Sequence, residues 1–143
     1  MKEHAIKLSI LSMLCDGRFH SGEGLGEQLG ISRAAVSKHV KGIQAWGVDV
    51  FSVQGKGYKL AEPMQLLNQE LLQSLVSVPL ELIPVINSTN QHLLERINTL
   101  ESGAVCLAEY QSKGRGRRGR EWVSPFGCNL YLSMYWRLET GMA

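Results

Sequence analysis

Over residues 111–121 this chain carries no apolar side chain: it reads Gln-Ser-Lys-Gly-Arg-Gly-Arg-Arg-Gly-Arg-Glu, and Trp122 closes it. Such a run brings nothing to a core, so it is neither a core helix nor a core strand and reads as a mobile loop. Apolar runs flank it, at 104–108 and 129–136. The loop therefore lies inside a folded domain. Its five cations, Lys113, Arg115, Arg117, Arg118 and Arg120, alternate with Gly114, Gly116 and Gly119. Glycine lets backbone approach a ligand closely, and arginine offers a planar fork of donors to carboxylates and phosphates. An anionic ligand that orders the loop is the best account of this pattern.

Charge is divided unevenly along the 143 residues. Residues 1–60 hold eight Lys/Arg against five Asp/Glu, residues 61–110 one against six, and residues 111–121 five against one. Two basic regions separated by an acidic one suggest two anion-binding surfaces. With 44% hydrophobic and 20% charged residues, the composition is that of a soluble globular protein, with length for one ordinary or two small domains. Cys15, Cys106 and Cys128 are odd in number and lack a Cys-x-x-Cys spacing. That argues against a disulfide framework and against a metal site, and for a reducing cytoplasm. The polar N-terminus is no secretion signal, and no apolar run has transmembrane length, so no membrane partner is expected.

In the first sixty residues Ile6, Ile10, Leu11 and Leu14 recur at helical spacing, and Asp16-Gly17 ends that helix. Ser21 caps a second helix carrying Leu25 and Leu29. Gly30-Ile31-Ser32 makes a tight turn, and Ser32 starts a third helix running to about Trp46. Ala35, Val36, Val40, Ile43 and Trp46 share one face of it; Arg33, Ser37, Lys38, Lys41 and Gln44 share the other. Two β-rich runs, 48–53 and 58–60, surround a glycine-containing turn with Lys56 at its tip. Helix, turn, recognition helix and basic hairpin describe a winged helix-turn-helix. Arg33, Ser37 and Gln44 are candidate readers of base edges; Lys38, Lys41 and Lys56 are candidates for phosphates, with Ser21 and Ser32 at the two helix starts. A three-helix domain with a merely solvated polar face would show the same amphipathicity. The Gly30 turn, the cation placement and the hairpin favour operator DNA. A charge of only +3 predicts weak binding unless a dimer presents two half-sites.

Pro63 breaks the pattern, which places a DNA-binding domain at 1–62, a linker at 63–66 and a second domain at 67–143. Leu66, Leu67, Leu71, Leu72 and Leu75 form a helical stripe expected to pack into a core. Residues 82–86 read as a short strand, with Pro84 favouring an edge. Ser88 and Gln91 have capping-box spacing ahead of Leu93, Leu94 and Ile97, expected to be the buried face of a helix. By spacing alone Ser88 is better explained as a helix cap than as a ligand-binding residue. Residues 104–108 make a second strand. Residues 129–136 make a third, with Leu130, Leu132, Met134 and Trp136 on one face and Tyr131, Ser133 and Tyr135 on the other. The whole is an α+β chain: a winged helix-turn-helix, then an α/β unit whose strand ends carry the basic loop and the Ser88 helix start, where ligand sites in such sheets lie.

Ser88-Thr89-Asn90, Gln111, and Gly114-Arg115-Gly116-Arg117-Arg118-Gly119-Arg120 with Trp122 together resemble the biotin protein ligases. With the winged helix, the chain resembles the bifunctional bacterial type that is also the biotin operon repressor. The resemblance runs from about residue 6 to the end. It implies that ATP, expected with Mg2+, activates biotin to biotinyl-5′-AMP. A lysine of the biotin carboxyl carrier protein then takes the biotinyl group. It implies that Ser88, Thr89, Asn90 and Gln111 hold biotin, and that Gly114, Arg115 and Arg117 approach it. Arg117, Arg118, Arg120 and Trp122 would hold the adenylate, and Arg115, Arg117 and Arg120 would neutralise the approaching anions in catalysis. Trp122 alone is equally read as a core tryptophan. The adenylate would act as corepressor by promoting a homodimer that binds the operator.

The family's Lys-Trp-Pro-Asn-Asp segment, the rest of its sheet and its C-terminal barrel would follow Ala143. Residues 67–143 are therefore expected to form an incomplete mixed sheet with helices, unable alone to catalyse ligation, with the strand at 129–136 lacking a partner. Two other readings stay open. The second unit of a winged-helix regulator could sense an anion without catalysis, or the Arg/Gly run could be an RNA-binding arm.

Overall fold

The computed structural model describes residues 4–139. The chain divides into two compact units between Leu66 and Leu67.

The first unit contains helices α1 (Ala5–Leu14), α2 (Gly22–Leu29) and α3 (Arg33–Ala45), then strands β1 (Val50–Val53) and β2 (Gly57–Leu60). Serine hydroxyls start the second and third helices. Ser21 Oγ accepts from Gly24 N at 2.9 Å, and Ser32 Oγ from Ala35 N at 3.2 Å. Gly30 ends α2 at φ 65°, a left-handed conformation that costs glycine little. Ile10, Leu11, Leu14, Leu25, Val36, Ile43 and Leu60 are almost wholly buried. At about 1.5–3 kcal/mol per buried aliphatic side chain, they are what holds three short helices together. β1 and β2 pair antiparallel, Val50 opposite Leu60 and Val53 opposite Gly57. His20 adds a bridge to Tyr58 through two 2.8 Å backbone bonds, a third strand position that periodicity did not reveal. A Cβ at Gly57 would lie 2.1 Å from the His20 carbonyl oxygen, so only glycine lets the hairpin seat there.

The second unit contains helix α4 (Gln69–Leu75), strands β3 (Leu80–Leu82) and β4 (Val85–Ile86), and helix α5 (Thr89–Leu94). Strands β5 (Val105–Ala108), β6 (Tyr110–Gln111), β7 (Gly114–Arg115), β8 (Glu121–Trp122) and β9 (Tyr131–Met134) follow. Its mixed sheet has the order β3-β5-β9, with β3 parallel and β9 antiparallel to the fully buried β5. β4 pairs parallel with β6 beyond it. α5 packs on the sheet, and Thr89 Oγ1 meets Ser133 Oγ at 2.8 Å. The buried carboxylate of Glu109 accepts from Leu67 N at 2.6 Å, tying the start of this unit to the end of β5.

Five expectations are corrected. The leucine stripe is not core: α4 starts only at Gln69, no residue in it is buried, and Leu75 is 72% exposed. The run at 82–86 is two strands, because Pro84 interrupts the ladder and its carbonyl instead accepts from Glu109 N and Tyr110 N. Of the three residues assigned to the buried face of α5, only Leu93 is buried; Leu94 is exposed and Ile97 lies beyond the helix end. The strand at 129–136 does have a partner, β5, along all four residues of β9; its other edge pairs with none of the described strands. The Arg/Gly run is not an irregular loop but a hairpin, β7 against β8, turning through a 3-10 segment at Arg117–Gly119.

Candidate functional sites

In the first unit, α3 presents Arg33, Lys38 and Lys41 exposed on the face opposite Val36, Val40 and Ile43. Arg33, Ser21, Tyr58 and Lys56 line one cavity of about 670 Å³ between the starts of the helices and the hairpin. The capping oxygens of Ser21 and Ser32 accept from backbone N–H groups, which leaves each hydroxyl proton to donate outward. The Nζ atoms of Lys56 and Lys59 each lie 5.6 Å from the Phe19 ring centroid, a pair of cations gathered at the hairpin. Lys59 had no assigned role in the sequence, because its partner ring is forty residues away along the chain. Ser37 is half-buried. Gln44 is committed elsewhere: its Nε2 donates to the Val50 carbonyl at 2.9 Å and fastens the end of α3 to β1.

In the second unit, a polar network stands at the start of α5. Ser88 caps the helix, its Oγ accepting from Gln91 N at 3.3 Å, and both Ser88 and Thr89 are buried. Gln111 Oε1 accepts from Thr89 N at 2.9 Å and from Thr89 Oγ1 at 3.2 Å. Its Nε2 faces Ser124 Oγ at 3.3 Å. Gln111 reaches this position because β6 runs parallel to β4, which delivers Asn87, Ser88 and Thr89 beside it. Thr89, Asn90, Gln111, Arg115, Trp122 and Ser133 line a cavity of about 370 Å³, within the range of small-molecule sites. Ser88 lies behind it, in the cap. Gly114, next to Arg115, is buried: a Cβ there would lie 2.6 Å from the Trp122 carbonyl oxygen and 2.7 Å from Ser124 Oγ.

The hairpin divides the arginines between two places. Arg115 faces the polar cavity, whereas Arg117, Arg118 and Arg120 line an open cavity of about 630 Å³. Trp122 lines both cavities and is 62% exposed, so it is not a core tryptophan. Arg118 has φ 59°, the only described non-glycine residue in the left-handed region, and Gly119 follows at 72°. Gly116 N donates to the Arg120 carbonyl at 2.7 Å and closes the turn. A site with fixed hydroxyl and amide groups on one side and clustered guanidinium groups on the other suits an elongated ligand with a neutral polar head and an anionic end.

Ser133 and Ser124 belong to this site and had no assigned role. Alternation along the third strand placed Ser133 with Tyr131 and Tyr135; a small polar residue on that face, opposite the apolar one, was the available signal. The capping box is only half made. Gln91 does not return to Ser88; its side chain contacts Glu95 and Arg115. Among the described residues, no cluster of His, Cys, Asp or Glu could hold a metal ion, and no helix is long and apolar enough to cross a membrane.

Residues 7–59 match a helix-turn-helix domain family, and residues 82–142 match the biotin/lipoate A/B protein ligase family. Over its whole length the chain is 60% identical to the bifunctional ligase/repressor BirA of Salmonella typhimurium and 58% identical to that of Escherichia coli, covering 45% of each. It is 34% identical to BirA of Bacillus subtilis over 83% of this chain and 38% of that protein. The chain thus spans less than half the length of these relatives.

Proposed function

We infer the function from this premise: the chain belongs to the biotin protein ligase family, in its bifunctional ligase–repressor branch with an N-terminal helix-turn-helix domain. The whole protein activates biotin with ATP and passes it to a lysine of the biotin carboxyl carrier protein, and it represses transcription from a biotin operator. The observation that carries this reading is the juxtaposition of the Thr89/Gln111 cavity and the arginine cavity across Trp122.

The polar cavity takes the ureido head of biotin. Thr89, Gln111 and Asn90 supply donors and acceptors, Ser88 holds the α5 start, and Gly114 lets backbone come close. The valeryl carboxylate then points toward Arg115 and Arg117. Its oxygen attacks the α-phosphorus of ATP, the bond to pyrophosphate breaks, and biotinyl-5′-AMP forms. Two anions must meet in this step. Arg115, Arg117 and Arg120 offset that repulsion, and Arg118 and Trp122 flank the adenylate. Mg2+ arrives with the nucleotide phosphates. Folding of the hairpin over the mixed anhydride keeps water from it until the carrier's lysine amine attacks the acyl carbon and AMP leaves.

In the first unit, Arg33 and Ser37 meet base edges, while Lys38, Lys41, Lys56 and the hydroxyl protons of Ser21 and Ser32 meet phosphates. Gln44 is assigned a bracing role instead of a reading one, on its bond to Val50. The adenylate promotes a homodimer in the cytoplasm, and two recognition helices then engage two half-sites. Biotin-dependent pyrophosphate exchange by the full-length protein tests the enzymatic part. Arg117→Ala is expected to slow it on the order of a hundredfold, the scale of losing one group that stabilises developing charge. Wild-type protein that represses the operator without ATP and shows no exchange would instead identify a non-catalytic anion-sensing regulator.

A further inference from the structure

Arg115 is the one arginine of the hairpin that faces the polar cavity. Directly opposite it in the β7–β8 ladder stands Glu121. A cross-strand Arg/Glu pair attracts, and the pairing would neutralise the cation. Arg115 does not make it: among the described residues no carboxylate lies within ion-pair distance of its guanidinium. Its Nη2 donates instead to Gln91 Oε1 at 2.9 Å, and Gln91 Nε2 donates to Glu95 Oε1 at 2.9 Å.

Chemistry fixes the polarity of this chain of contacts. A guanidinium only donates and an ionised carboxylate only accepts. The amide between them must therefore turn its nitrogen to Glu95 and its oxygen to Arg115. Gln91, half-buried in α5, stands one turn before Glu95 at the helix's C-cap, so the helix sets the spacing of the pair. A neutral adaptor aims the guanidinium without supplying a counter-charge of its own.

We propose that Gln91 is a positioning residue for Arg115, drawing it away from Glu121 and holding its charge uncompensated at the mouth of the Thr89/Gln111/Ser133 cavity. This rests on the reading of that cavity as the biotin site. With Gln91 truncated, Arg115 turns to Glu121, and the biotin carboxylate loses a free cation.

The test compares Gln91→Ala, Gln91→Ala/Glu121→Gln and wild type in the full-length protein, reading KM for biotin and kcat separately in pyrophosphate exchange. Gln91→Ala is expected to raise KM for biotin roughly fivefold, about the loss of one charge-assisted hydrogen bond. The added Glu121→Gln is expected to restore it, because the competing carboxylate is gone. A merely structural role for Gln91 would not be rescued from across the hairpin. Unchanged KM in Gln91→Ala, or an increase that Glu121→Gln fails to reverse, overturns the proposal while leaving the biotin site intact. Wild-type protein with no biotin-dependent exchange overturns the biotin site and this proposal together.

Discussion

At the scale of single residues, the site depends on which glycine is replaced. A Cβ at Gly114 would meet backbone oxygen at 2.6 Å and Ser124 Oγ at 2.7 Å, whereas one at Gly119 would meet nothing within 4 Å. Gly114→Ala must therefore push β7 off β8, at a cost of about 1–3 kcal/mol, and displace the neighbouring Arg115 that lines the cavity. Gly119→Ala suffers only its positive φ, about 1 kcal/mol. The expected outcome is loss of biotin binding in Gly114→Ala with near-normal binding in Gly119→Ala, read by calorimetry on the full-length protein. By composition and spacing these two glycines look alike; only the family resemblance singles out Gly114. The run points to an anion site because its composition excludes a core role. The close contact at Gly114 depends on Trp122 and Ser124 folding back over it, which composition does not encode. Gln111 was named through resemblance; Ser133 was passed over, although alternation sets this small polar residue on the face opposite the apolar one.

At the scale of elements, local chemistry was legible and long-range packing was not. Ser21, Ser32 and Ser88 each cap the helix their positions announced, because a cap is decided within three residues. The stripe in α4 failed because amphipathic spacing says which residues share a face, not whether anything covers that face. β9 shows the same limit: Tyr131 is the buried member, while Leu130, Leu132, Met134 and Trp136 are exposed. A pH prediction belongs here, at the turn joining α1 to the His20 bridge. The Asp16 carboxylate accepts from Arg18 N at 2.8 Å and from the His20 ring at 3.0 Å. The backbone N–H of Arg18 first, and then His20, hold its pKa below the usual 3.8. A lowered carboxylate pKa adds stability that is present above about pH 4 and is lost as pH falls through the folded-state value. Thermal unfolding of wild type should therefore steepen its decline below about pH 4, and Asp16→Asn should flatten that decline. Parallel curves for the two proteins would show that the turn contributes nothing.

At the scale of the whole molecule, two units place cations on two unlike devices. In the first, Arg33, Lys38, Lys41 and Lys56 stand on a helix and a hairpin fixed by a buried aliphatic core, a rigid presentation suited to a regular duplex. In the second, the cations ride a two-residue-per-strand hairpin whose turn holds Arg118 at φ 59°, a lightly anchored element suited to closing over a small ligand. The uneven charge along the chain predicts two anion-binding surfaces, and its two basic stretches fall in different units. The cavity of Thr89, Gln111, Arg115 and Ser133 is proposed to receive the head group of biotin. An amide NMR titration of the protein with biotin tests it most directly. Biotin bound there should give saturable shifts at Thr89, at the Gln111 side-chain amide, at Gly114 and at Ser133, with the signals of α3 unmoved. Shifts confined to the first unit, or none in the Thr89/Gln111 network at saturating biotin, would contradict it.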